Sequence, residues 1–418
     1  MPEQRAPTTK RWPYLSASIP LRLSALKFAV GAFVITVALL TWTKYDSFSQ
    51  TLDNLSYDWS VCQPDILSSV VEPAIEAQPE ESHNGTNATQ SLLPLKEAEA
   101  LCAKHEMKPY PRREGHRKVY DLFLVGTELD WTEIRLNELA PYVDYFVVLE
   151  AENTFTNHSK PKYFKKNWKH FSQFESKIIY HVLNEDAIRH EGNPWQREKY
   201  QRNALVTQVF PNLLGDKAPQ MGDVIMVSDV DELPRPETIT KLRNCDIPAR
   251  TGLQSRFFLY SFQLRRTDME WYHPQATFWQ GEKTILPESL RTDGVAYQFG
   301  NASWHCTNCF STVADFVTKI KSFSHTDYNK PEFADPDEIV RRVRNGLDVF
   351  DRDYPYQRVE SKQMDAPRYV IENRRKFGYL VDRDPPNANL YDYSATDDQD
   401  GYDKSEVDDS LVPYVQGS

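Results

Sequence analysis

Ser228-Asp229-Val230-Asp231-Glu232 follows directly on the apolar run Val224 to Val227. Two carboxylates separated by one residue at a strand end can converge on one hard divalent cation through oxygen ligands. In open α/β sheets, ligands bind at the carboxyl ends of the strands. Mn2+ or Mg2+ held there is suited to bridging the diphosphate of a nucleotide sugar, where it offsets the charge that grows on the leaving nucleotide. The bland alternative is an acidic turn whose carboxylates favour the N-terminus of the following helix. The strand context and the additional Glu232 favour chemistry. Asp229, Asp231 and Glu232 are therefore the candidate catalytic residues, with Asp229 and Asp231 as metal ligands and His325 as a further candidate ligand.

A second group is Trp304-His305-Cys306-Thr307-Asn308-Cys309. Zinc needs about four ligands, and the chain has no second Cys-x-x-Cys. A disulfide is the better reading of Cys306 and Cys309, closed between them or onto Cys245 or a cysteine nearer the N-terminus. Five cysteines leave one thiol over. Trp304 and His305 are candidate substrate contacts. So are Arg197 and Arg202, on a polar helix face beside Lys199, because guanidinium matches phosphate geometry. Trp271, Tyr272 and Trp279 add flat faces suited to sugar rings. A base for an acceptor hydroxyl would be a carboxylate. Asp268, Glu270 and Asp293 lie in the right half of the chain, and nothing in the sequence chooses among them.

Several elements must position these groups. Short apolar runs at Val119–Val125, Val143–Leu149, Lys177–Leu183 and Asp223–Ser228 read as strands. Helical patterns lie at Trp131–Ala140, Arg197–Phe210 and from Pro236. This alternation predicts an α/β domain with a largely parallel sheet. Gly252–Arg266 and Val295–Phe299 read as further strands. Helices follow at Thr312–Ser322 and up to Asn345, the latter capped by Asp335 with Pro336 at its first position.

The chain has 418 residues, 40% hydrophobic and 12% aromatic, enough for a large core. Its net charge of -11 argues against nucleic acid as a partner. Residues 23–42 form an apolar stretch of membrane-spanning length. Basic residues precede it and acidic ones follow, which orients residues 1–22 to the cytosol and the rest to the lumen. A cleaved signal peptide is disfavoured, because Trp42 and Lys44 spoil the cleavage site. Residues 43–115 read as a luminal stem, 116–385 as the catalytic domain and 386–418 as an acidic disordered tail. Sequons at Asn54, Asn84, Asn87, Asn157 and Asn301 suit a luminal glycoprotein.

Taken in order, Tyr120-Asp-Leu-Phe123, Glu133-Ile-Arg-Leu-Asn-Glu-Leu139, Val143-Asp-Tyr-Phe-Val-Val-Leu-Glu150, Asp229-Val-Asp-Glu-Leu-Pro234, Trp304-His-Cys-Thr-Asn-Cys-Phe310 and Tyr369 form a distinctive series. The series resembles glycosyltransferase family 17, from Lys118 to Asp382. The resemblance implies a GT-A-like fold and a type II enzyme of the Golgi or another secretory membrane. It implies UDP-GlcNAc as donor and inverting transfer, β-1,4 to a mannose of an N-linked glycan. Asp229, Asp231 and Glu232 match the family's Asp-x-Asp-Glu. The stretch Gly252–Asn301, expected to build the acceptor pocket, matches less clearly. A glycoside hydrolase would draw its two carboxylates from separate strands. A non-catalytic glycan-binding relative would not need to keep all three acids.

Overall fold

A computed structural model describes residues 89–394 except residue 270. The expected membrane anchor, most of the stem, three sequons (Asn54, Asn84 and Asn87) and the tail from 395 lie outside the described residues.

Strand β1 (Val119–Val125) is buried along nearly its whole length, as a strand covered on both faces must be. It pairs in parallel with β2 (Tyr145–Glu150), which pairs in parallel with β3 (Ile178–Val182). On its other side β1 pairs in parallel with β4 (Val224–Val227). The order β3-β2-β1-β4 makes a doubly wound half-sheet. Helix α1 (Leu95–Ala103) precedes β1, α2 (Leu129–Leu139) joins β1 to β2, and α3 (Pro194–Thr207) lies between β3 and β4. Asn193 caps α3 by accepting from Trp195 N, with Pro194 in the first turn. Ala204 and Leu205 of α3, with Val209 and Phe210 beyond it, pack on Tyr120, Leu122, Val147, Leu149, Ile225 and Val227.

The other half of the sheet is antiparallel in most of its pairings. After β4 come short β5 (Glu232–Pro234) and α4 (Pro236–Asn244), then β6 (Thr251–Leu259) and β7 (Ser261–Arg266). The run 252–266 is thus two strands rather than one. Tyr260, at φ 63, turns the chain directly back on itself. No helix intervenes, so the neighbours are antiparallel. Strand β8 (Gln275–Phe278) joins β4 to β6 antiparallel to both. After α5 (Pro287–Thr292), β9 (Tyr297–Thr307) pairs in parallel with β6 and antiparallel with β5. The largely parallel sheet expected from the α/β alternation is therefore a mixed ten-stranded sheet, with β10 (Tyr356–Arg358) against β7.

Helices α6 (Val313–Ser322) and α7 (Pro336–Asn345) cover this second half. Asp335 caps α7 through Glu338 N, as expected, and Gly346 closes it in the left-handed region at φ 66. A Cβ on Gly346 would come within 3.0 Å of Leu264. Short α8 (Arg368–Glu372) and α9 (Gly378–Val381) follow. Both expected domain boundaries move. Ala388 and Leu390, assigned to a disordered tail, are fully buried in the α6–α7 core. Asp392 accepts from Val313 N and Ala314 N at the start of α6. At the other end Cys102, assigned to the stem, is bonded to Cys245 at the end of α4. The folded unit takes in parts of both flanks because each supplies apolar side chains or a cap that the interior uses.

Candidate active site

The acidic segment sits where the doubly wound half-sheet changes direction. The chain after β1 runs one way to β2 and β3, while β4 lies on β1's other side. A crevice at the carboxyl ends is expected at such a point. The turn after β4 is held from beneath by a buried ion pair. Arg135 of α2 and Asp121 of β1 are both fully buried and meet through two bonds, of 2.7 and 2.6 Å. The same guanidinium donates to the carbonyls of Glu232 at 2.8 Å and of Asp229 and Val230 at 3.4 Å, and to Ser228 Oγ. One arginine thus fixes the backbone on which all three acids stand.

The three acids have different surroundings. Glu232 is fully buried and both its oxygens are engaged. They accept from Trp271 Nε1 at 2.9 Å, from Asp229 N at 2.9 Å and from Arg291 at 2.7 and 3.0 Å. Burial alone would raise its carboxyl, but Arg291 outweighs burial and holds it well below the usual range. Asp229 is more open. It receives Arg291 at 3.0 Å, and Arg202 lies 3.5 Å away. Burial is again outweighed by arginine, and its carboxyl is held below the ordinary value. Asp231 is the exception. Burial pushes it up to about 6, with His305 opposing. His305 Nδ1 stands 3.7 Å from Asp231 Oδ1, is buried, and has no hydrogen-bond partner.

The other sequence candidates are distributed as follows. Arg202 does reach the site, bracketed by Glu198 and Glu288 at 2.5 and 2.6 Å. Arg197 does not. It is almost wholly buried, and its guanidinium donates to the carbonyls of Ile188, Arg189 and Glu191, so it cannot reach a pyrophosphate. His305 and Trp304 were expected together, but side chains alternate along a strand. His305 pairs across from Glu232 and faces the acids. Trp304 faces the other way, donating to Asp365 at 3.0 Å beneath the Arg235 guanidinium. His325 packs against Trp195, Phe323 and Tyr328. Among the described residues no group of three or more His, Cys, Asp or Glu side chains is arranged around a metal position, so His325 is not assembled with Asp229 and Asp231. Glu232, expected to be catalytic, presents no unoccupied oxygen and serves to position Asp229 and Arg291.

Cys306 and Cys309 are bonded to each other, while Cys245 pairs with Cys102. Neither base candidate among the described residues lies at the acids. Asp268 is paired with Arg266, and Asp293 with Ser289, Thr292 and Arg250. Trp271 stacks on His305 with ring centroids 5.1 Å apart, so its face is covered on that side.

A sequence profile of glycosyltransferase family 17 matches residues 63–385. The chain belongs to glycosyltransferase family 17. It is 26% identical over 330 residues to the β-1,4-mannosyl-glycoprotein 4-β-N-acetylglucosaminyltransferase of Homo sapiens and 25% identical to that of Rattus norvegicus. The matches cover 68% of this chain and 58% and 57% of those enzymes, so the chain spans less than two thirds of its relatives' length. A solved mannosyltransferase from Pyrobaculum calidifontis, in complex with GDP-Man and Mn2+, gives a TM-score of 0.30 at 9% identity, over 62% of this chain and 72% of that one.

The family-17 motifs coincide with the supports of the site. Asp121 lies in the first and Arg135 in the second, and Tyr369 Oη donates to Glu133 in that same second motif at 3.0 Å. Sequence reading missed the role of this pair, although a lone aspartate inside the apolar run VYDLFLV was its visible sign. Arg291 and the bond from Trp271 left no comparable trace, because both lie in the half of the chain with the weaker motifs.

Proposed function

We propose that this family-17 chain transfers GlcNAc from UDP-GlcNAc to a mannose of an N-linked glycan, forming a β-1,4 linkage with inversion. Asp229 and Asp231 would hold Mn2+ or Mg2+. The observation that carries the reading is the division of labour among the acids. Glu232 is saturated, whereas Asp231 accepts no hydrogen bond from the described residues and faces a bare His305 nitrogen. Oxygen donors of this kind suit a hard divalent cation. Such a metal supplies charge to offset the departing UDP. Arg202 and Arg291 add fixed positive charge beside Asp229. His305 Nδ1 offers a hydrogen-bond site for a substrate hydroxyl.

The proposal extends to location. An N-terminal anchor at residues 23–42 would hold the enzyme in a Golgi or related membrane with its catalytic domain luminal. Two disulfides among the described residues support an oxidising compartment.

The test is release of UDP from UDP-GlcNAc in the presence of an N-glycan acceptor, with Mn2+ and with chelator. Asp231→Asn is expected to lower turnover by roughly a thousandfold, the loss of several kcal/mol of leaving-group stabilisation. Full wild-type activity in chelator, or near-normal turnover by Asp231→Asn, would refute the reading.

A further inference from the structure

Two lysines near the carboxyl ends of the same strands have no direct bond to the three acids. Lys160 lies in the loop after β2. Its Nζ is buried and has no hydrogen-bond partner, and the Tyr163 ring is 5.9 Å away. Burial pushes its ammonium down, with Glu150, Glu128 and Glu185 opposing. An ammonium buried without an acceptor is costly. Lys319 projects from α6, its side chain 38% exposed, with Nζ 3.5 Å from Glu128 Oε1. At that length the contact is a loose one, and the partly exposed ammonium can also meet a more highly charged anion.

Three elements bring the lysines to one place. Glu128 immediately precedes α2, at the carboxyl end of β1 and hence beside the end of β4. The loop carrying Lys160 touches the helix carrying Lys319, because Thr156 Oγ1 donates to the Lys321 carbonyl at 3.2 Å. The field at Lys319 includes Asp231 and Asp229 as well as Glu128, and together they outweigh its burial. Lys319 therefore stands between the end of β1 and the acidic turn, and Lys160 flanks the same edge from β2.

We propose that Lys160 and Lys319 form an anion subsite for the diphosphate of the donor nucleotide, with Glu128 holding Lys319 in place when no nucleotide is bound. Ammonium groups bind phosphate as compact point charges. Two of them near the acidic turn would add positive charge for the diphosphate to that of Arg202 and Arg291. The proposal rests on the nucleotide-sugar reading above.

The experiment is calorimetric titration of the full chain with UDP and with uridine in Mn2+ buffer. It compares wild type with Lys319→Met, Lys160→Met and Lys319→Arg, with melting curves for each. Both Met variants are expected to lose about tenfold or more in UDP affinity, the scale of one charge-assisted bond. Uridine affinity should be unchanged, and Lys319→Arg should recover most of the loss. Lys160→Met should melt no lower than wild type, since it removes a buried unpaired ammonium. UDP affinity within twofold of wild type in either Met variant overturns the subsite. So does an equal loss of uridine and UDP affinity, which would mark a structural role. Absence of UDP binding by wild type would instead overturn the nucleotide-sugar reading itself.

Discussion

Asp121 and Arg135 show what a fully buried ion pair does in this molecule. Neither side chain is exposed to solvent, and removing both from water costs several kcal/mol per ion. That cost is met by two charge-assisted bonds between them and by the carbonyls of the acidic turn. Asp121→Asn would strand the Arg135 charge in the interior. A loss of about 3–5 kcal/mol of stability is expected, seen as a large drop in melting temperature, whereas Asp231→Asn should melt near wild type. Equal melting of Asp121→Asn and wild type would show that the pair does not carry the turn. At this scale the sequence was informative wherever chemistry is local. Asp229 and Asp231 are recognisable because two residues and a strand end suffice to define them. Glu232 looked equally catalytic, because its saturation depends on Trp271 and Arg291, 39 and 59 residues further on. The alternation of Trp304 and His305 follows only once the strand expected to end at Phe299 is seen to run on to Thr307.

Elements were legible in proportion to their own periodicity. Strand β1 lies where its apolar run predicts, and α7 starts and stops at the expected residues because Asp335, Pro336 and Asn345 are local signals. The hairpin at Tyr260 was missed because a tyrosine in the left-handed region announces no turn. Helix α6 shows an element stabilised from a distance. Thr312, expected as the first helical residue, instead caps the helix through Asp315 N, and Asp392, far along the chain, provides the second cap. This gathers acids. Burial pushes Asp315 up to about 7, with Asp130, Glu128 and Asp392 adding to the rise. Its folded value lies above its unfolded one, so the folded state holds a proton that the unfolded state releases. Stability from this group is therefore complete below about pH 4 and lost as pH rises through about 7. Asp315→Asn keeps an acceptor for Thr312 and cannot ionise. Its stability relative to wild type is expected to improve between pH 5 and pH 8, by up to about 2.5 kcal/mol, since roughly two units of the shift lie in that window at about 1.36 kcal/mol per unit. Melting temperatures at the two pH values measure this, and a difference that stays constant between them would contradict the assignment.

At the scale of the whole molecule, the question is which compartment the folded unit meets. The disulfide from Cys102 to Cys245 closes a span of 143 residues, and one of its ends lies in the segment read as stem. In the chain-entropy account a loop of that size stabilises by about 5 kcal/mol, and it forms only where thiols are oxidised. The asparagines of both described sequons, Asn157 and Asn301, are exposed, as a luminal reading requires, although Ala302 and Ser303 of the second are buried. Both asparagines, however, have left-handed backbones, at φ 64 and φ 48. Asparagine is favoured there for conformational reasons alone, so the sequence pattern does not separate glycosylation from turn geometry. The two are separable by substitution. Ser159→Ala destroys the Asn157 sequon while leaving the asparagine, and Asn301→Gly keeps a residue at ease with positive φ. If the folded unit is luminal, chain made in cells should shift in mass on N-glycosidase treatment, and each substitution should remove one glycan without lowering the melting temperature. The bulk of the chain should also resist protease in sealed microsomes and succumb once detergent is added. Digestion without detergent, or a mass indifferent to glycosidase, would place the folded unit on the cytosolic side and undo the anchored, luminal arrangement.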